Sequence, residues 1–93
     1  MRVRKRPIEV DAFPWHGTMT TEMLSFLPDR DLGYWRLANG ALEINTPEGW
    51  VNCSVESFVV RGVAGEFYPV KPDIFWATFE RVHTRRKKEP DND

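Results

Sequence analysis

Arg61, Lys71, Tyr68 and Trp76 are the residue types that hold a nucleotide, the cations for a phosphate and the rings for a base. A ring stacks on a base with about 1–3 kcal/mol, and a guanidinium or ammonium meets phosphate through charge-assisted hydrogen bonds. Arg36 is a further phosphate candidate. The same cations could instead pair on the surface with Glu66 and Asp73, which is the simpler expectation. Aromatic residues make up 13% of the chain and include Trp15, Trp35, Trp50 and Trp76. Large rings fill the cores of small domains, and they also anchor protein interfaces. Trp15 and Trp50 fall on strand faces that carry polar residues, which places part of the set at the surface. The candidate ligand- or partner-binding residues are therefore Arg61, Tyr68, Lys71, Trp50, Trp76, Glu66 and Asp73.

Other chemistry finds little support. Gly62 and Gly65 read as turn glycines, not as a phosphate-cradling loop. Cys53 lies on an apolar strand face and reads as a small buried hydrophobe. His16 and His83 have no second ligand at metal-binding spacing. The carboxylates Glu48, Glu56, Glu66, Asp73 and Glu80 show no pairing that would mark an acid/base site. The expectation is a binding protein and no enzyme, with no metal and no cofactor.

The 93 residues suit one domain, with a net charge of -1. That charge is unevenly spread. Arg2, Arg4, Lys5 and Arg6 open the chain; residues 7–80 then hold four basic residues against eleven acids. An acidic body repels phosphate, so duplex nucleic acid is a disfavoured partner. The run Arg85-Arg86-Lys87-Lys88 reads as a solvated tail, with a flexible nucleic-acid-touching arm as the alternative. One cysteine excludes a disulfide framework. No apolar run approaches the roughly 18 residues of a membrane span, and no apolar segment follows the basic start as in a secretory signal. A soluble cytosolic protein with no membrane contact is expected: a single domain over 1–82 and a disordered charged tail over 83–93.

The elements follow from periodicity. Ile8, Val10 and Ala12 alternate with Glu9, Asp11 and Phe13, predicting a strand over 7–15. Thr18 or Thr20 can cap a short helix over 21–27, which Pro28 ends. Asn39-Gly40 between two β-like runs signals a hairpin. Residues 34–70 read as four or five strands in a meander, with Val51, Cys53 and Val55 on one face. Asp73 caps one or two helical turns, and 78–82 reads as a closing strand; a helix over 73–82 is the competing reading. The predicted fold class is α+β, a curled antiparallel sheet or half-open small barrel of five to six strands with one short helix packed on it. Its uncovered edges predict a homo-oligomer made by edge pairing or sheet packing.

The run from Phe58 to Phe75, with Gly62-Val63-Ala64-Gly65-Glu66-Phe67-Tyr68-Pro69-Val70-Lys71-Pro72-Asp73-Ile74-Phe75 at its heart, and then Thr78-Phe79-Glu80, resembles a family of small, largely uncharacterised proteins of tailed bacteriophages and prophages. The opening, Arg4-Lys5-Arg6-Pro7 leading to Val10, Ala12, Phe13 and Trp15, is similar as well. Two departures stand out. Val55-Glu56-Ser57 replaces a usual Pro-Gly-Asp, predicting a different loop on the same strands, and Val70 replaces a usual Cys. The resemblance implies a non-virion accessory protein of the host bacterial cytoplasm. Its expected partner is a host or phage protein; the alternative is an oligomeric binder that sequesters a nucleotide-type small molecule such as a defence signal.

Overall fold

The computed structural model describes residues 1–3 and 8–82; the basic stretch 4–7 and the expected tail 83–93 lie outside the described residues. The elements, in chain order, are β1 (Asp11–Pro14), α1 (Thr21–Phe26), a 3₁₀ turn (Arg30–Leu32), β2 (Trp35–Ala38), β3 (Ala41–Thr46), β4 (Gly49–Cys53), β5 (Phe58–Arg61), β6 (Phe67–Val70) and α2 (Pro72–Thr78). The class is α+β, built on six antiparallel strands.

Instead of one curled sheet there are two three-stranded sheets, in the orders β1-β5-β6 and β2-β3-β4, and neither closes into a barrel. The meander expected over 34–70 divides between β4 and β5. β6 packs against β3 and β4, joining the two sheets. Between them lies the core: Trp15, Met23, Leu27, Trp35, Leu42, Ile44, Cys53, Val59 and Phe67.

Local chemistry accounts for the elements. Asn39 and Gly40 take φ of 53° and 81°, the paired positive values of a type I′ turn. Their two-residue loop sets Ala38 opposite Ala41, so Trp35 and Leu37 share a face with Ile44 and Leu42. Thr20 caps α1, its hydroxyl accepting from the Met23 N–H at 3.1 Å. The helix ends before Pro28 and buries Met23. The Pro28 carbonyl accepts from the Trp35 indole N–H at 2.9 Å, so the buried ring is satisfied and the loop is tied to β2.

Several expectations are corrected. The first strand is regular only over Asp11–Pro14, and Ile8 is exposed. Trp15 is 2% exposed and belongs to the core, because the strand's end turns under α1 and β2. Of Val51, Cys53 and Val55, only Cys53 is buried. The helical turns expected through Trp76 form α2, which runs on to Thr78; the closing strand over 78–82 does not form, and residues 79–82 belong to no element. Pro72 stands at the first helical position, where its missing N–H costs nothing, and Phe75 then stacks on Phe58. Lys71, not Asp73, occupies the cap position; Asp73 lies in the first turn. Among the described residues no helix is long and apolar enough to cross a membrane.

The loop at 54–57 also differs from expectation. The Ser57 N–H donates to the Ser54 carbonyl at 2.9 Å, and Glu56, third in this turn, has φ 73°. Those are the marks of a type II turn, which favours Pro second and Gly third. Val55-Glu56-Ser57 thus keeps the turn that Pro-Gly-Asp would favour. A side chain in this backbone region costs about 1–2 kcal/mol, partly offset by glycine's greater freedom in the unfolded chain. Glu56→Gly is expected to stabilise the protein by roughly 0.5–1 kcal/mol. Urea unfolding checks it; a destabilised variant would show that the Glu56 side chain contributes more than its conformation costs.

Candidate binding groove

α2 and β1 face each other across an open groove of about 1220 Å³. One wall is the stretch from Ile8 to Ala12, with Pro14; the other is α2 and the chain that leaves it, through Val82. Phe58 stacks on Phe75 with ring centroids 3.9 Å apart and planes 10° from parallel. Trp76 stands edge-on to both, 5.5 Å from Phe58 and 4.9 Å from Phe75. Phe79 extends the cluster, 5.1 Å from Phe75. Phe75 is buried while Trp76 remains 49% exposed, so the cluster presents one indole to the groove.

The polar residues around this apolar surface are mainly acidic: Glu9, Asp11, Glu56 and Glu80, with Arg81 and His16. Glu56 Oε2 lies 3.1 Å from His16 Nδ1, and Asp11 pairs with Arg61 at 2.7 Å. Glu9 and Glu80 have no ion pair among the described residues. The Arg81 guanidinium lies 5.9 Å from the Trp76 ring centre.

The seven sequence candidates do not converge on one place. Trp76 lines the groove. Trp50, 39% exposed, lies on the outer face of the other sheet, where Arg36 stacks over it at 4.0 Å and pairs with Glu43 at 2.7 Å. Arg61 pairs with Asp11, not with Glu66, and lies 5.1 Å from the Phe26 ring centre. In the β5–β6 register Arg61 is opposite Phe67, so Tyr68 points to the other face. The phosphate-and-base set of Arg61 and Tyr68 is therefore split by the sheet. Tyr68 and Glu66 line a smaller cleft of about 450 Å³ beside Thr46 and Val51. Burial and then the nearby Glu66 charge raise the Tyr68 pKa, keeping the phenol neutral. Lys71 is exposed at the helix cap and makes no ion pair with Asp73 among the described residues. Burial pushes the Cys53 thiol up to about 11, so it is an inert core group.

Glu66 has a structural task. Its carboxylate accepts from the Ala64 N–H at 3.0 Å, while the Gly62 N–H donates to the Glu66 carbonyl at 2.8 Å and the Gly65 N–H to the Gly62 carbonyl at 3.0 Å. A Cβ at Gly62 would collide with the Glu66 carboxylate. The Gly62–Glu66 stretch is thus a self-satisfied turn. Gly62→Ala is expected to displace the carboxylate and cost about 1 kcal/mol, the typical net value of a hydrogen bond. The same change in a Glu66→Ala background should cost nothing further. A double-mutant cycle by thermal unfolding checks this, and strict additivity would disprove the contact.

The sequence reading missed Phe58, Phe79, Ile8 and Glu9 as groove residues. The alternation of Ile8 and Val10 with Glu9 and Asp11 was the available signal, read only as one buried face. Comparison with family models, with curated proteins and with solved structures finds no match for the chain.

Proposed function

We infer that the protein acts by binding a protein partner, and that the groove between β1 and α2 receives it. The observation that carries this reading is Trp76, half exposed above a stacked pair of phenylalanines on an apolar wall. A large ring held rigidly below and open above is the kind of residue that dominates protein interfaces. Charge specifies the partner segment. Among the described residues Glu9 and Glu80 carry no ion pair, Asp11 is paired with Arg61, Glu56 with His16, and Arg81 is the one Lys or Arg of the lining, so the fitting segment carries aliphatic side chains flanked by Lys or Arg. The resemblance to tailed-phage and prophage proteins supplies the setting: a non-virion accessory protein in the host bacterial cytoplasm, engaging a host or phage protein, with counter-defence as one such role. The nucleotide-sequestering alternative has less support, because Arg61 is committed to Asp11 and Tyr68 lies across the sheet from it.

Capture from infected cells with three immobilised forms tests the reading. A partner held by the wild type and by Trp50→Ala should be lost by roughly 30-fold or more with Trp76→Ala, the effect of removing an interface anchor. Equal recovery on all three forms would remove the groove from the reading.

A further inference from the structure

We propose that the groove takes its occupant as an added β-strand on the free edge of β1, in a segment whose side chains alternate between aliphatic and basic. This rests on the groove being the docking surface and specifies how it is filled.

Among the described residues β1 is an outer strand, paired only with β5. Just past its end, Trp15 directs both backbone groups toward the β5 side: its N–H donates to the Ser57 carbonyl at 2.8 Å, and its carbonyl accepts from the Glu56 N–H at 2.6 Å. Backbone groups alternate in direction along a strand. Phe13 and Asp11 therefore face β5 as well, and Ala12 and Pro14 face away from it. The free edge offers the Ala12 N–H and carbonyl together with the Pro14 carbonyl. Ala12 and Pro14 also line the groove, and Ile8 and Val10 continue their row. The unpaired hydrogen-bonding groups and the apolar wall thus belong to one stretch of chain. Its seven residues, extended, span about 20 Å.

The two-residue period sets what an added strand must carry. Within β1, Ala12 and Pro14 alternate with Asp11 and Phe13, and the chain before it repeats the pattern in sequence as Ile8 and Val10 with Glu9. Side chains of an added strand lie beside those of β1 on the same two faces: aliphatic beside Ala12, and basic beside Asp11, whose second carboxylate oxygen is left over from its 2.7 Å pair with Arg61, with the exposed Glu9 just before the strand. Pairing of β1 with β1 of a second copy would bring the two sets of carboxylates together, and like charges on paired strands are destabilising. The edge therefore fits a basic segment better than it fits itself.

The probe is the amidated peptide Val-Lys-Val-Arg-Val-Lys-Val, titrated into the ¹⁵N-labelled full chain. Hydrogen exchange at the Ala12 amide should slow by about tenfold or more as the peptide saturates the protein, since an exposed donor becomes paired. Binding should fall by about tenfold or more when the peptide nitrogens facing the edge are N-methylated, but not when those facing away are, and also when Lys and Arg are exchanged for Glu. A peptide that binds with unchanged Ala12 exchange and tolerates both methylated series overturns strand addition. Absence of peptide binding overturns it as well, while a partner captured through Trp76 leaves the docking reading standing. Ala12 protection that appears with protein concentration alone assigns the edge to a second copy and likewise overturns the proposal.

Discussion

Phe75→Ala is expected to lower the thermal midpoint by more than roughly 10 °C. Phe75 is buried and nearly coplanar with Phe58 at 3.9 Å, and it also contacts Trp76 and Phe79. Removing such a ring costs about 3–5 kcal/mol, through lost burial and the cavity left behind. α2 has only seven residues, too few to be helical in water without packing. Losing Phe75 therefore releases the helix and removes one wall of the groove. Ile74→Ala is the control, because Ile74 is exposed and an isolated surface change stays within about 0.5 kcal/mol. Circular dichroism melts of the two variants decide the matter. Equal midpoints would mean that α2 does not depend on the Phe58 stack.

Trp35→Ala is the second large effect, again about 3–5 kcal/mol, and Trp35→Phe separates its parts. The ring is buried in the core, and its indole N–H meets the Pro28 carbonyl. Phenylalanine keeps much of the packing and leaves that carbonyl without its donor, a cost of about 1–3 kcal/mol. In urea both variants should shift the midpoint with little change in slope, since the surface exposed on unfolding stays nearly the same. If Trp35→Phe matched the wild type, the indole tether would contribute nothing to stability.

What could be read from the residues was what neighbouring residues decide. Asn39-Gly40 names its own turn, Thr20 and Pro28 bound α1, and the alternation from Ala41 to Thr46 is that of a strand exposed on one side. The division into two sheets was not legible, because it depends on β1 pairing with β5 rather than on any local pattern. The segment after Pro72 was ambiguous, since a short apolar run fits a helix turn and a strand alike; the Phe58–Phe75 stack settles it. The same limit applies to the candidate site. Trp76 could be singled out as a ring, but Arg61 was matched to neighbours in sequence, while its partner Asp11 is 50 positions away. Glu66, Gly62 and Gly65 of the C-terminal run hold one another in a hydrogen-bonded turn, a role that neighbouring residue types alone do not announce.

The pairing of β1 with β5 has a consequence for the order of assembly. Strands β2, β3 and β4 follow one another through two-residue loops, and such hairpins close in about 1–10 μs. β1 must first close the loop from Pro14 to Phe58, some forty residues, an entropy cost that local contacts never meet. The β2-β3-β4 sheet therefore forms early, and β1 is set in place late. Like β2, β4 and β6, β1 is an edge strand among the described residues, and Trp15 just past its end anchors it in the core. The groove between β1 and α2 is thus completed late in folding, after the β2-β3-β4 sheet that it does not touch.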